Sequence, residues 1–121
     1  NFNFDNFPIV NVDLSGVIVD DSDFTNFTNN WLELYNKKEN FQFIFNTKNA
    51  GLINIKYCIY MAFFIKLIKK KPVQYLTNSK IYVYNMYIFK LFKLIFYIEK
   101  PVAPVELILY INNTIEKEYI T

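Results

Sequence analysis

The chain has 121 residues, 53% hydrophobic and 20% aromatic, with 13 Phe, 10 Tyr and only 2 Gly, which suits one domain with a large apolar core and excludes a disordered chain. It has no His and one Cys, so the commonest acid–base group is missing and neither an intramolecular disulfide nor a Cys-cluster zinc site is available. The formal charge of +2 hides a polarity: residues 1–40 hold seven acids against Lys37 and Lys38, residues 41–100 hold ten Lys against Glu99, and 101–121 is acidic again.

In chain order, Ile9, Val10, Val12 and Leu14 followed by Ser15-Gly16 predict a strand over about 7–19 that bends at the Gly. Asp20, Asp21 and Asp23 supply N-cap oxygens and first-turn negative charge for a helix over about 23–37, closed by Lys37 and Lys38. Phe24, Phe27, Thr28, Trp31 and Tyr35 fall on one stripe of that helix. Phe41 to Phe45 is too short for a helix, and its lack of clean alternation predicts a central strand covered on both faces. A loop from Asn46 to Gly51 leads into a helix over 53–70 with Tyr57, Met61, Phe64 and Ile68 inside, and with Lys56, Lys66, Lys70, Ile59 and Phe63 outside. After Pro72 come a strand over 80–84 and a helix over 86–98. Ile88, Leu91, Phe92, Ile95 and Ile98 face inward on that helix, and Lys90, Lys93 and Tyr97 face out. Pro101 and Pro104 end it, and the alternation of Val105, Leu107, Leu109 and Ile111 predicts a last strand. The expected fold is a single α/β domain spanning 1–121. It has a four-stranded, mostly parallel sheet packed with three or four helices, a core over about 7–112, and terminal extensions at 1–6 and 113–121.

The stretch Phe7-Pro8-Ile9-Val10-Asn11-Val12-Asp13-Leu14-Ser15-Gly16-Val17-Ile18, an apolar strand ending in Leu-Ser-Gly before an acidic helix start, resembles the opening of STAS domains, the SpoIIAA-like anti-anti-sigma-factor fold. The likeness continues through Phe41–Phe45, Gly51-Leu52 and Ser79–Asn85. With Gln74-Tyr75-Leu76 and Lys100-Pro101-Val102-Ala103-Pro104-Val105, the chain is similar to STAS-like proteins of unassigned function in giant viruses of AT-rich genome. Its wealth of Asn, Ile, Lys, Phe and Tyr fits an AT-rich source, viral, ciliate or organellar. In bacterial members, the loop after the central strand carries a hydroxyl that a partner kinase phosphorylates. The matching stretch here is Asn46, Thr47, Lys48, Asn49, Ala50 and Gly51, with Ala50 at the acceptor position, so the resemblance implies a binding module whose phospho-switch is degenerate.

Other readings of the residues are weaker. Cys58 lies on the inward side of its helix with no His to activate it, and reads as core. The Asp20, Asp21 and Asp23 cluster reads as helix capping rather than a metal site, and neither Gly belongs to a phosphate-binding motif. No catalytic, cofactor or metal residues are assigned. The lysine-rich middle lacks Arg, so nucleic acid is not the expected partner. Peripheral contact with an anionic membrane is an alternative, while no run reaches the length that spans one. The sequons at Asn26 and Asn112 are the chance yield of an Asn-rich chain, and an intracellular location, in host cytoplasm or virion, is expected rather than secretion. A start at Asn1 reads as a piece of something longer. The functional expectation is a non-enzymatic scaffold or assembly subunit that binds a protein partner, or a second copy through its acidic residues 1–40, using Lys56, Ile59, Phe63, Lys66 and Lys70. The alternative is a lipid-binding module of CRAL-TRIO-like type, which needs an apolar cavity of a few hundred Å³ or more.

Overall fold

Asp20 starts the first helix for a chemical reason: its carboxylate accepts from the Asp23 N–H at 2.9 Å, while the Asp23 carboxylate accepts from the Asp20 N–H at 3.3 Å. The computed structural model describes residues 1–14 and 18–121, so the bend expected at Gly16 lies outside the described residues. Its elements are β1 (Phe2–Asn3), β2 (Ile9–Asp13), α1 (Asp21–Leu34) continued by a 3-10 turn (Tyr35–Lys37), β3 (Phe41–Asn46), α2 (Lys56–Ile68), β4 (Leu76–Val83), α3 (Met86–Ile98), β5 (Val105–Ile111) and β6 (Thr114–Ile120).

The strands form one mixed sheet in sequence order. β2 through β5 pair parallel, and β1 and β6 add antiparallel edges. Three right-handed crossovers that all step the same way along the sheet put α1, α2 and α3 on one face. The aromatic contacts agree, because the Trp31 ring of α1 lies 4.8 Å from Phe43 and 5.4 Å from Phe64 of α2. Val10, Val12, Phe41, Phe43, Phe45, Ile81, Val83, Leu107 and Leu109 are buried in the layer between sheet and helices.

Four expectations are corrected. The sheet has six described strands rather than four, because the supposed terminal extensions pair as β1 and β6. Phe41–Phe45 is central as expected but covered on one face only. Its alternate residues Gln42, Ile44 and Asn46 occupy the other face, opposite Asn78, Lys80 and Tyr82 of β4. Strand β4 begins at Leu76, four residues early, where a register shift beside Phe41 admits an extra residue. Ile98 faces solvent, because α3 ends there and the chain turns extended at Glu99.

β6 follows a two-residue turn in which Asn112 and Asn113 have φ of 50° and 61°, the left-handed pair of a type I′ hairpin. Its Lys117 pairs with Glu106 at 3.5 Å and its Glu118 with Lys93 of α3 at 3.1 Å, and such charges discourage further pairing along an edge. Asn113→Val should cost about 1–2 kcal/mol, since a β-branched residue resists left-handed backbone. A lowered urea midpoint, with hydrogen exchange quickening first in β6, is the expected result.

Candidate interaction surface

The loop after β3 is held by its only hydroxyl. Thr47 is buried, and both its N–H and its Oγ donate to the Tyr82 carbonyl, at 3.2 and 2.8 Å, tying the end of β3 to β4. The Asn46 side chain accepts from the Lys48 N–H at 2.9 Å, and the Ala50 N–H donates to the Thr47 carbonyl at 3.0 Å. Asn49 is exposed. A Cβ added to Gly51 would meet nothing within 4 Å, so neither crowding nor a left-handed backbone demands glycine there. Gly51→Ala should therefore leave stability unchanged or raise it by about 0.4–1 kcal/mol. Thr47→Val should cost about 1 kcal/mol, and mass spectrometry of native material should find no phosphate on Thr47.

α2 is clamped at both ends. At its start, Lys56 lies 3.4 Å from Asp21 of α1, and the Tyr57 hydroxyl donates to Asp21 at 2.9 Å. That hydrogen bond, and then the Lys56 charge, hold the Asp21 carboxyl below its usual range. Phe24 stacks on Tyr57 with ring centres 5.7 Å apart. At its end, Lys69 reaches Glu99 beyond α3 at 2.6 Å, and this hydrogen bond lowers the Glu99 pKa. Cys58 is buried on the inner side.

Between the clamps, the inner stripe is as expected in position, with Tyr57, Phe64 and Ile68 buried and Met61 half-buried. The outward face is far more apolar than Ile59 and Phe63 alone suggest. Ile55 is 54% exposed, Ile59 42%, Tyr60 41%, Phe63 64% and Leu67 58%, with Lys56, Lys66 and Lys70 exposed among them. Ile55, Ile59, Phe63 and Leu67 are spaced by four and form one ridge along the helix. Ile55, Tyr60 and Leu67 were missed in the sequence reading, although their spacing from Ile59 and Phe63 was available as a signal.

Two concavities complete the surface. An apolar cavity of about 90 Å³ lies between helices and sheet, lined by residues including Trp31, Phe45, Cys58, Ile65 and Ile95. A shallow groove of about 620 Å³ runs over the opposite face of the sheet, beside Asn11, Asn46, Tyr82, Tyr84 and Tyr110. There the Tyr110 ring is stacked with both Tyr82 and Tyr84, at 6.0 and 5.7 Å, so these rings cover one another's faces. No helix among the described residues is long and apolar enough to cross a membrane. Comparison with models of known families, with curated proteins and with solved structures finds no match for this chain.

Proposed function

We propose that the chain is a non-enzymatic, STAS-like protein-interaction module, a scaffold or subunit of a larger assembly, that docks through the outward face of α2. The observation that carries this reading is that α2 is apolar on both sides while the layer it belongs to covers only one. In α1 the outward positions are polar, including Ser22, Thr25, Asn26, Asn29 and Glu33. A helix apolar all round is ordinarily buried all round. An exposed aromatic–aliphatic ridge rimmed by lysines has the make-up of a small interface, an apolar centre with a charged border.

Two further observations favour this reading. Thr47, the one hydroxyl in the loop matching the bacterial phospho-loop, is already hydrogen-bonded and buried, which supports binding without that switch. The apolar cavity, at about 90 Å³, falls well short of the few hundred Å³ a lipid cargo requires, which favours the interaction module over a lipid carrier.

The test is Phe63→Asp. It places a charge at the centre of the ridge and leaves the inner stripe untouched, so the melting temperature should stay near that of the parent chain. The tagged parent chain, purified from its native source, should bring a partner that the variant loses. Identical co-purification by both proteins would overturn the reading, and an unfolded variant would show that Phe63 belongs to the core.

A further inference from the structure

The ends of the α2 ridge carry opposite charge, and this says what covers it. The three helices run parallel, each against the direction of the central strands, so their first turns gather at one end of the layer. At that end Asp20, the N-cap of α1, with Asp21 and Asp23 stands beside the start of α2, fixed there by the Asp21 contacts with Lys56 and Tyr57, and these three acids outnumber Lys56, so the end is net negative. At the other end Lys66, Lys69, Lys70 and Lys71 crowd the last turn of α2 and the residues after it. Phe63, the most exposed residue of the ridge, sits between the two ends. At 1.5 Å per residue it is about 12 Å from Ile55 and about 10 Å from Lys70.

Resting on the interaction reading above, we infer that the occupant of this face is a second copy of the same chain, with the two α2 helices crossing antiparallel near Phe63. A two-fold contact matches each surface to itself in reverse, so the lysine end of one copy meets the aspartate end of the other on both sides of the axis. The ridge of Ile55, Ile59, Phe63 and Leu67 then packs on its own copy, with Ile59 facing Leu67 twice and Phe63 at the axis. A parallel arrangement would set lysine on lysine and aspartate on aspartate. An anionic membrane would attract one end of the ridge and repel the other, which is why a second copy fits better than a lipid surface. One helix face about 20 Å long is a small contact, below about 1,200 Å² in total, and its affinity belongs in the micromolar range.

Light scattering and sedimentation of the full chain over roughly 1–100 μM should show a monomer–dimer equilibrium that weakens with salt. Phe63→Asp, and Leu67→Glu as a second variant one turn on, should weaken it about 30-fold or more with melting temperatures close to the parent. Lys70→Asp alone and Asp21→Lys alone should each weaken it several-fold. The double variant Asp21→Lys with Lys70→Asp should recover most of the loss, because only antiparallel crossing brings position 21 of one copy to position 70 of the other. A chain that stays monomeric throughout overturns the second-copy inference. The interaction reading would then stand or fall separately, on whether co-purification of a different protein depends on Phe63. A monomer that instead floats with phosphatidylserine vesicles in a Phe63-dependent way also overturns the inference, in favour of a membrane surface. A dimer unaffected by Phe63→Asp and Leu67→Glu overturns it too, and removes α2 as the docking face.

Discussion

Trp31→Ala should cost the fold about 3–5 kcal/mol, a large share of what a domain of this size has to lose. Trp31 is buried on α1 where aromatic side chains of α1, α2 and β3 meet. Its ring lies 4.8 Å from Phe43, 5.4 Å from Phe64, 6.1 Å from Phe27 and 6.4 Å from Phe45, so it joins α1 to both the central strand and α2. Truncation would enlarge an apolar cavity that already exists beside it, and the surrounding rings are too rigid to close the gap. Trp31→Phe should behave very differently. The indole N–H finds no hydrogen-bond partner of good geometry, although it lies near enough to the Tyr35 phenol to oppose the rise in pKa that burial imposes on that group. Phe keeps most of the packing and removes a buried donor whose desolvation costs about 1–3 kcal/mol, so its stability should fall within about 1 kcal/mol of the parent. Urea unfolding separates the two: with m near about 2 kcal/mol/M, the Ala variant should lose roughly 2 M in midpoint at unchanged slope. Equal losses for Ala and Phe would mean that the indole N–H is satisfied and matters.

Much of the central fold was legible because its signals are local. The bounds expected for α3 agree with Met86–Ile98, since Pro101 stands just beyond its end; Asn85, which caps its first turn by accepting from the Ile88 N–H, was a further signal for its start. The limits of β5 followed from the alternation of Val105, Leu107, Leu109 and Ile111. The edges were not legible for physical reasons. β1 is two residues long and too short to show a period. β6 is exposed along most of its length, with only Glu118 and Ile120 half-buried, so its side chains carry little inside–outside contrast, and the Asn112-Asn113 pair was the signal for the hairpin. The faces of β3 were misread because Ile44 looks like a core residue. It lies on the open side between Asn11 and Lys80, where cross-strand contact half-buries it without any helix above. On α2, Ile59 and Phe63 could be placed outside because that helix has more apolar residues than one face can hold. The acidic end of the same surface comes from α1, and tertiary packing alone brings Asp21 to Lys56 and to Tyr57, 36 residues away in the chain.

Cys58 should react with alkylating reagents at least about 100-fold more slowly in the folded chain than in concentrated urea, at a pH near 8. Burial with no compensating charge pushes its thiol from 9.0 up to about 11. Each pKa unit is a factor of ten in thiolate, so two units alone give about 100-fold, and the residue's 3% exposure hinders approach further. Because the folded chain favours the neutral thiol, its stabilising contribution is complete below the unfolded pKa near 9.0. The contribution is lost as pH rises through about 11. Labelling should therefore accelerate at alkaline pH for two reasons that act together, more thiolate and easier opening. Tyr57, the neighbour of Cys58, also has its pKa raised, first by burial and then by its hydrogen bond to Asp21, so its ionisation opposes folding in the same alkaline direction. The measurement is a time course of iodoacetamide labelling read by intact mass, run on the parent chain and on Phe63→Asp. Both should be protected alike if Phe63 faces out, because the inner side of α2 stays packed in each. Rapid labelling of the parent chain would mean that α2 opens without global unfolding. Rapid labelling of Phe63→Asp alone would show that the charge had reached the core, and that the two faces of α2 are not independent.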